Sequence, residues 1–240
     1  MGQAERMNDH GSMGDLLQLM GASAGAADGL ADVPVGTRHP GAGDALFHED
    51  DCAQAIYFVR AGMFKTLRTA DDGHEQVLGF AGRGAMLGFD AMCLPRHPTA
   101  AVALEPSSVY VVARQDVFGL GERIPAFARV LHLASSHELT RRAEHADLLA
   151  PVAPEVRLAR FLVHLARRKA ADGEPQRQLH LPMSRRDIAS HLGVAHETVS
   201  RAFTSLSGSG HLRVGNREVE ILDLDALQAC SLRTRRLAQA

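Results

Sequence analysis

Residues 183–223 run MSRRDIASHLGVAHETVSRAFTSLSGSGHLRVGNREVEILD, and this order of signals leaves few ways to fold. Ser184 has Asp187 three positions on, the reciprocal cap that opens a helix. That helix sets Ile188, Ala189 and Leu192 on one face and stops at Gly193, which is free to take the left-handed backbone of a tight turn. The small Ala189 lets a second helix, about 195–207, cross closely. Val194, Val199, Ala202, Phe203 and Leu206 bury that helix against the first. Two short helices joined through a glycine, about 185–204, make a helix-turn-helix. HLRV and REVEILD then flank Gly215 and Asn216, a two-residue hairpin signal, so a β-wing is expected to follow.

This packing leaves His196, Glu197, Ser200 and Arg201 on the outer face of the second helix. A glutamate there can accept from cytosine N4, an arginine can donate to guanine O6 and N7 together, and a serine permits close approach to a thymine edge. Glu197, Ser200 and Arg201 are therefore each able to meet a base edge. Ser184, Arg185, His196, Thr198, Arg213 and Arg217 are the expected supporting contacts to DNA, the two wing arginines on phosphate. Charge agrees with this division of labour. Residues 151–240 hold 14 Lys and Arg against 9 Asp and Glu, whereas residues 1–150 hold 12 against 19, so only the C-terminal part attracts a polyanion.

The remainder of the 240 residues suggests an α+β chain of several parts. Residues 1–30, rich in Gly, Ala, Ser and Met, read as a mobile N-terminal arm with at most a short helical turn around 15–20. From 31 to 123, short apolar runs are broken by turn residues, with DDG at 71–73 between KTLRT and EQVLGF as a hairpin tip. Many short strands at this spacing indicate a β-roll or barrel. Residues 124–150 form one long helix free of internal Gly and Pro. It has a heptad-like seam of Leu131, Ala134, Glu138, Arg141, His145 and Leu148, polar enough to be either a solvated connector or a dimer helix pairing across a two-fold axis. A further helix from Pro154 presents Val156, Ala159, Leu162, Val163 and Ala166 at core spacing and stops near Gly173 and Pro175, so 151–240 is read as one winged domain.

No stretch reaches the roughly 20 apolar residues of a membrane span, and the first residues lack the order of a secretory signal, so no membrane partner and a cytoplasmic location are expected. Cys52, Cys93 and Cys230 lie far apart, with no Cys/His spacing suited to metal, and Cys93 is the thiol best placed for redox sensitivity. Phosphate-loop, GxSxG and HExxH patterns are missing, so no enzyme is expected.

HETVSR at 196–201, DDGHEQVLGFAGRGAMLGFDAM at 71–92 and HPTAAVALE at 97–105 resemble the CRP/FNR family of bacterial transcription regulators, within it the FNR branch, over roughly residues 33–230. The resemblance implies a β-roll effector domain, a dimerisation helix and a winged helix-turn-helix. It implies a homodimer on double-stranded DNA with TTGAT and ATCAA half-sites, a link to oxygen or redox state, and an RNA polymerase contact on Asp71, Asp72, Gly73, His74 and Glu75. Two features depart from it. Cyclic-nucleotide binders of this fold use a Gly-Glu pair and an Arg, but Phe89 and Asp90 follow Gly88 here, and Arg96 stands before HPT rather than at the phosphate position. Oxygen sensors of the family hold a [4Fe-4S] cluster on clustered N-terminal cysteines and one in the β-roll, but the arm has none and Tyr110 takes the β-roll position. No cofactor or metal is therefore expected. Haem on His39, His48, His74 or His97, oxidation of Cys93 or Cys52, and regulation by concentration alone stay open as signals. The rival reading is a haem- or nucleotide-binding sensor whose winged domain is a protein-interaction surface.

Overall fold

The computed structural model describes residues 10–23, 29–149, 152–171 and 173–233. The chain divides into two compact units, 1–141 and 142–240.

The first unit is a β-roll. One sheet joins β1 (Gly11–Ser12), β2 (Pro34–Arg38), β9 (Ser108–Ala113), β4 (Ala55–Ala61) and β7 (Met86–Leu87) in the order β1-β2-β9-β4-β7. The other joins β3 (Ala45–Phe47), β8 (Ala100–Ala103), β5 (Phe64–Thr69) and β6 (Glu75–Ala81) in the order β3-β8-β5-β6. Because side chains alternate along a strand, β4 feeds two cores. Tyr57 and Val59 join Phe47, Phe64, Ala101 and Val109 in one apolar cluster. Ile56 and Phe58 join Tyr110 and Val112 in the other, which also takes residues from the helices.

That second core corrects the reading of the arm. Residues 10–23 are folded: β1 pairs antiparallel with β2, and Ser12 and Asp15 form a reciprocal cap on α1 (Met13–Leu19). Met13, Leu16 and Leu17 are at most 2% exposed, packed with Phe58, Tyr110 and Phe127. Gly11 lies so close to the Tyr110 ring that an added Cβ would sit 2.2 Å from its Cε1. The stretch looked mobile because only three of its apolar residues are fully buried and the core that receives them is assembled from distant strands. The remaining parts of the expected arm, 1–9 and 24–28, lie outside the described residues.

The helix α2 (Val117–Arg123) leads into the long helix α3 (Pro125–Leu148), close to the expected 124–150. The residues of the expected seam differ in what they meet within the chain itself. Ala134 is buried in the chain's own core beside Phe127 and Val130, with Leu131 packed against it. Glu138 and Arg141 pair with each other within the helix. The large apolar side chains that α3 leaves exposed are Leu133 and Leu139, at 49% and 69%. The last two turns of α3, residues 142–148, group with the second unit.

In the second unit α4 (Pro154–Ala171) buries Val156, Leu158, Ala159, Phe161, Leu162, Val163 and Ala166. It packs on α6 (His196–Gly208) and α7 (Leu224–Ser231). A three-stranded sheet, in the order β10-β12-β11, joins β10 (Gln178–His180), β12 (Glu218–Ile221) and β11 (Leu212–Val214).

Candidate nucleic-acid interface

Helix α5 (Arg185–Leu192) begins at the expected cap. The Ser184 hydroxyl accepts from the Asp187 N–H at 3.1 Å and donates to the Asp187 carboxylate at 2.6 Å. It ends at Gly193, whose φ of 62° is the left-handed turn the sequence required. Ile188, Ala189 and Leu192 of α5 meet Val199, Ala202, Phe203 and Leu206 of α6, all at most 4% exposed. Burial of one face of α6 fixes the other outward. His196, Glu197, Ser200 and Arg201 are exposed together at its amino-terminal half, and Thr198 is half-buried beside them. Within α6, the Ser200 hydroxyl reaches back to the His196 carbonyl at 3.3 Å, so its outward surface is compact. Four of the side chains expected at bases or beside them therefore share one solvent-facing strip.

The supporting residues are placed less uniformly. The Ser184 hydroxyl is taken up by the helix cap rather than left for a phosphate. The Arg185 guanidinium lies flat on the Phe203 ring, 3.4 Å from its centroid, and burial pushes its pKa down. Its first task is to hold α5 against α6 through a cation–π contact. Arg213 pairs across the wing with Glu220, which offsets its charge locally. Arg217 is exposed at the wing tip. The wing itself turns one residue later than expected: the Gly215 N–H donates to the Glu218 carbonyl at 2.8 Å, so Asn216 and Arg217, not Gly215 and Asn216, form the two-residue turn.

Two clamps at the α5 carboxyl end were not legible in the sequence, because their partners come from elements 35 or more positions away. Arg157 on α4 donates to the Leu192 carbonyl at 2.8 Å, and the His145 Nε2 lies 2.9 Å from the His191 carbonyl.

In the first unit, Asp71, Asp72, Gly73, His74 and Glu75 form an exposed hairpin tip. Gly73 has φ 81°, and the His74 N–H donates to the Asp72 carboxylate at 2.9 Å. The residues do not fit a bound cyclic nucleotide. Asp90 accepts from Thr99 at 3.1 Å, Arg96 is drawn to the Asp50 carbonyl, and Arg114 donates to the carbonyls of Ala53, Leu94 and Met92. Each of these arginines is thus committed to backbone. His97, 2% exposed and stacked on Phe47 at 3.9 Å, occupies space beside Gly88. An FNR-type cluster is not accommodated either: where it would need thiolates, Tyr110 packs on Gly11 and the neighbouring α1 residues Met13, Leu16 and Leu17 are apolar. Cys52 and Cys93 are exposed, whereas Cys230 is buried in the second unit, its thiol pushed up in pKa by that burial. Among the four histidines considered for haem, His39, His48 and His74 are exposed and only His97 is buried. Among the described residues no group of three or more His, Cys, Asp or Glu could hold a metal ion, and no helix is long and apolar enough to cross a membrane.

Residues 37–123 match the family model of a cyclic nucleotide-binding domain and residues 156–230 that of a Crp-like helix-turn-helix domain. The chain is 35% identical over 186 residues to the transcriptional regulatory protein btr of Bordetella pertussis, covering 78% of this chain and 77% of that protein. It is 34% identical over 205 residues to the transcriptional activator protein FnrA of Stutzerimonas stutzeri, covering 85% and 83%. Among solved structures, FixK2 from Bradyrhizobium japonicum superposes with a TM-score of 0.74 at 30% identity, over 83% of this chain and 98% of that one.

Proposed function

The chain belongs to the CRP/FNR family of transcription regulators, and on that premise we propose that it is a homodimeric, sequence-specific DNA reader for TTGAT/ATCAA palindromes. The observation that carries the proposal is the strip of Glu197, Ser200 and Arg201, held outward on α6 by a capped α5 and the Gly193 turn. In that reading Arg201 donates to guanine, Glu197 accepts from cytosine N4, and Ser200 allows close approach. The exposed Arg217, with His196 and Thr198, adds contacts at the edge, and the Arg185 edge faces the backbone.

Dimerisation is assigned to the face of α3 that its own core leaves free. Leu133, Ser136, Thr140 and Ala143 recur at spacings of three and four residues, two positions on from the seam expected in the sequence. The exposed tip at 71–75 is the proposed contact with RNA polymerase, and the protein acts in the cytoplasm as an activator, like the relatives named for that role. A link to oxygen or redox state rests on the resemblance to the FNR branch alone. With Arg96 and Arg114 held on backbone carbonyls and Tyr110 packed on Gly11, we assign DNA binding that needs no cofactor.

The test is aerobic binding, at one stated salt concentration, to a duplex bearing both half-sites and to one with their guanines changed. Absorbance is read on the same sample. Guanine-dependent binding by colourless protein is the expected result. Equal affinity for both duplexes, in air and without oxygen, overturns the assignment of Glu197, Ser200 and Arg201.

A further inference from the structure

A helix leaves its last carbonyls without partners inside the helix, so whatever meets them fixes where the following turn goes. At the end of α5 two side chains do this from outside. Arg157 donates to the carbonyls of Leu192 and Gly193, at 2.8 and 3.4 Å. His145, in the last turn of α3, meets the His191 carbonyl through Nε2. The His145 ring also stacks on the His191 ring, with centroids 4.4 Å apart and planes 5° from parallel. On its other contact the His191 ring takes the edge of Phe161 from α4, at 5.7 Å. His191 is only 6% exposed, so its ring is a buried wedge and not a surface side chain. Behind the turn, a Cβ at Gly193 would come within 3.1 Å of Leu149, one residue past α3, so there is little slack on that side.

From this geometry we propose that His145 is a positioning residue for base reading: through the His191 carbonyl and ring it sets the carboxyl end of α5, and with it the turn from which α6 presents Glu197, Ser200 and Arg201. His145 itself touches none of those three side chains. The hydrogen bond from its Nε2–H carries the effect, because it tethers the His191 carbonyl to α3 and so steadies the Gly193–Ala195 connection that follows. The inference rests on the DNA-reading assignment above.

Full-length protein is compared with His145→Ala, His145→Gln and His145→Phe in two measurements. One is the ratio of affinities for the half-site duplex and the guanine-changed duplex. The other is amide hydrogen exchange at Gly193 and Val194 without DNA. Gln keeps an amide donor at a similar reach, whereas Phe keeps a ring and has no donor. His145→Ala is expected to lower the ratio about fivefold, the scale of one lost hydrogen bond. It should also speed exchange at the two amides, with Gln restoring both and Phe restoring neither. A wild-type protein that discriminates between the duplexes, alongside an Ala variant that does so equally well, overturns the proposal. Should the wild type itself not discriminate, the DNA reading has failed, and exchange alone decides. Faster exchange in Ala that Gln reverses upholds the positioning role, and unchanged exchange refutes it.

Discussion

Replacing Leu16 by Ala tests whether the N-terminal segment is part of the fold. Leu16 is fully buried, and its neighbours in the core, among them Phe58, Tyr110 and Phe127, come from two strands and the long helix. These elements are anchored elsewhere and cannot collapse onto the space left behind. Deletion of a buried leucine side chain to Ala costs about 2–5 kcal/mol, and the limited scope for collapse puts this site near 3 kcal/mol or above. For a unit of this size each kcal/mol lowers the melting midpoint by roughly 4 °C, so a fall of about 12 °C is expected. The assay is unusually direct. The chain has no Trp and two Tyr, Tyr57 and Tyr110, both in the β-roll, so tyrosine emission during denaturation reports on the first unit alone. Tyr110 also packs on Gly11, so its environment changes when the segment leaves. If Leu16→Ala shifts the transition by no more than an exposed substitution does, within about 0.5 kcal/mol, the segment is not docked and the argument fails.

Four other substitutions have defined outcomes. His97 is buried against Phe47, and desolvation lowers its pKa despite the nearby Asp90 and Asp51, so the folded state holds it neutral while the unfolded chain takes up a proton below about pH 6.5. The unfolded state then binds more protons, so this contribution to stability is intact above that pH and is lost as the pH falls toward the folded value; His97→Gln should flatten the drop in first-unit stability between pH 7 and 5, and an unchanged slope would clear His97 of the effect. Arg201→Ala should cost about 1–3 kcal/mol on the half-site duplex and relax the preference for guanine, while Arg217→Ala should weaken all sequences alike and lower the salt slope by about one; equal losses from Arg201→Ala on both duplexes would remove its base-reading role. Leu133→Glu, on the exposed face of α3, should shift sedimentation from dimer toward monomer at micromolar concentration, and a dimer of undiminished strength would place the interface elsewhere.

The helix-turn-helix was legible almost to the residue because its determinants are local. A cap needs Ser184 and Asp187 three apart, the turn needs a glycine at 193, and the packed faces follow helical spacing, so short-range rules suffice. The same holds for the hairpin tip at 71–75. The wing turn was misplaced by one residue because Gly215 can serve as either a turn or a strand residue, and the pairing of Gly215 with Glu218 chose the second.

Within α3 two rows lie two residues apart, through Leu131 and Ala134 and through Leu133 and Ser136, and periodicity cannot say which of them the chain itself consumes. That was decided by the receiving core, shared by α1 and the β-roll, which takes in Ala134 and leaves Leu133 exposed. For the same reason the segment at 10–23 looked too poor in apolar residues to fold: three buried side chains suffice only once a prebuilt core receives them. Arg185 on Phe203 and His145 on His191 are likewise contacts between residues far enough apart in sequence that no spacing rule links them. The sequence by itself determined the helix-turn-helix and which side chains of α6 face outward, because caps, turns and helix faces are properties of neighbouring residues. Tertiary structure alone decided which polar groups are free to act and which are held, because that depends on the partners the fold brings to them.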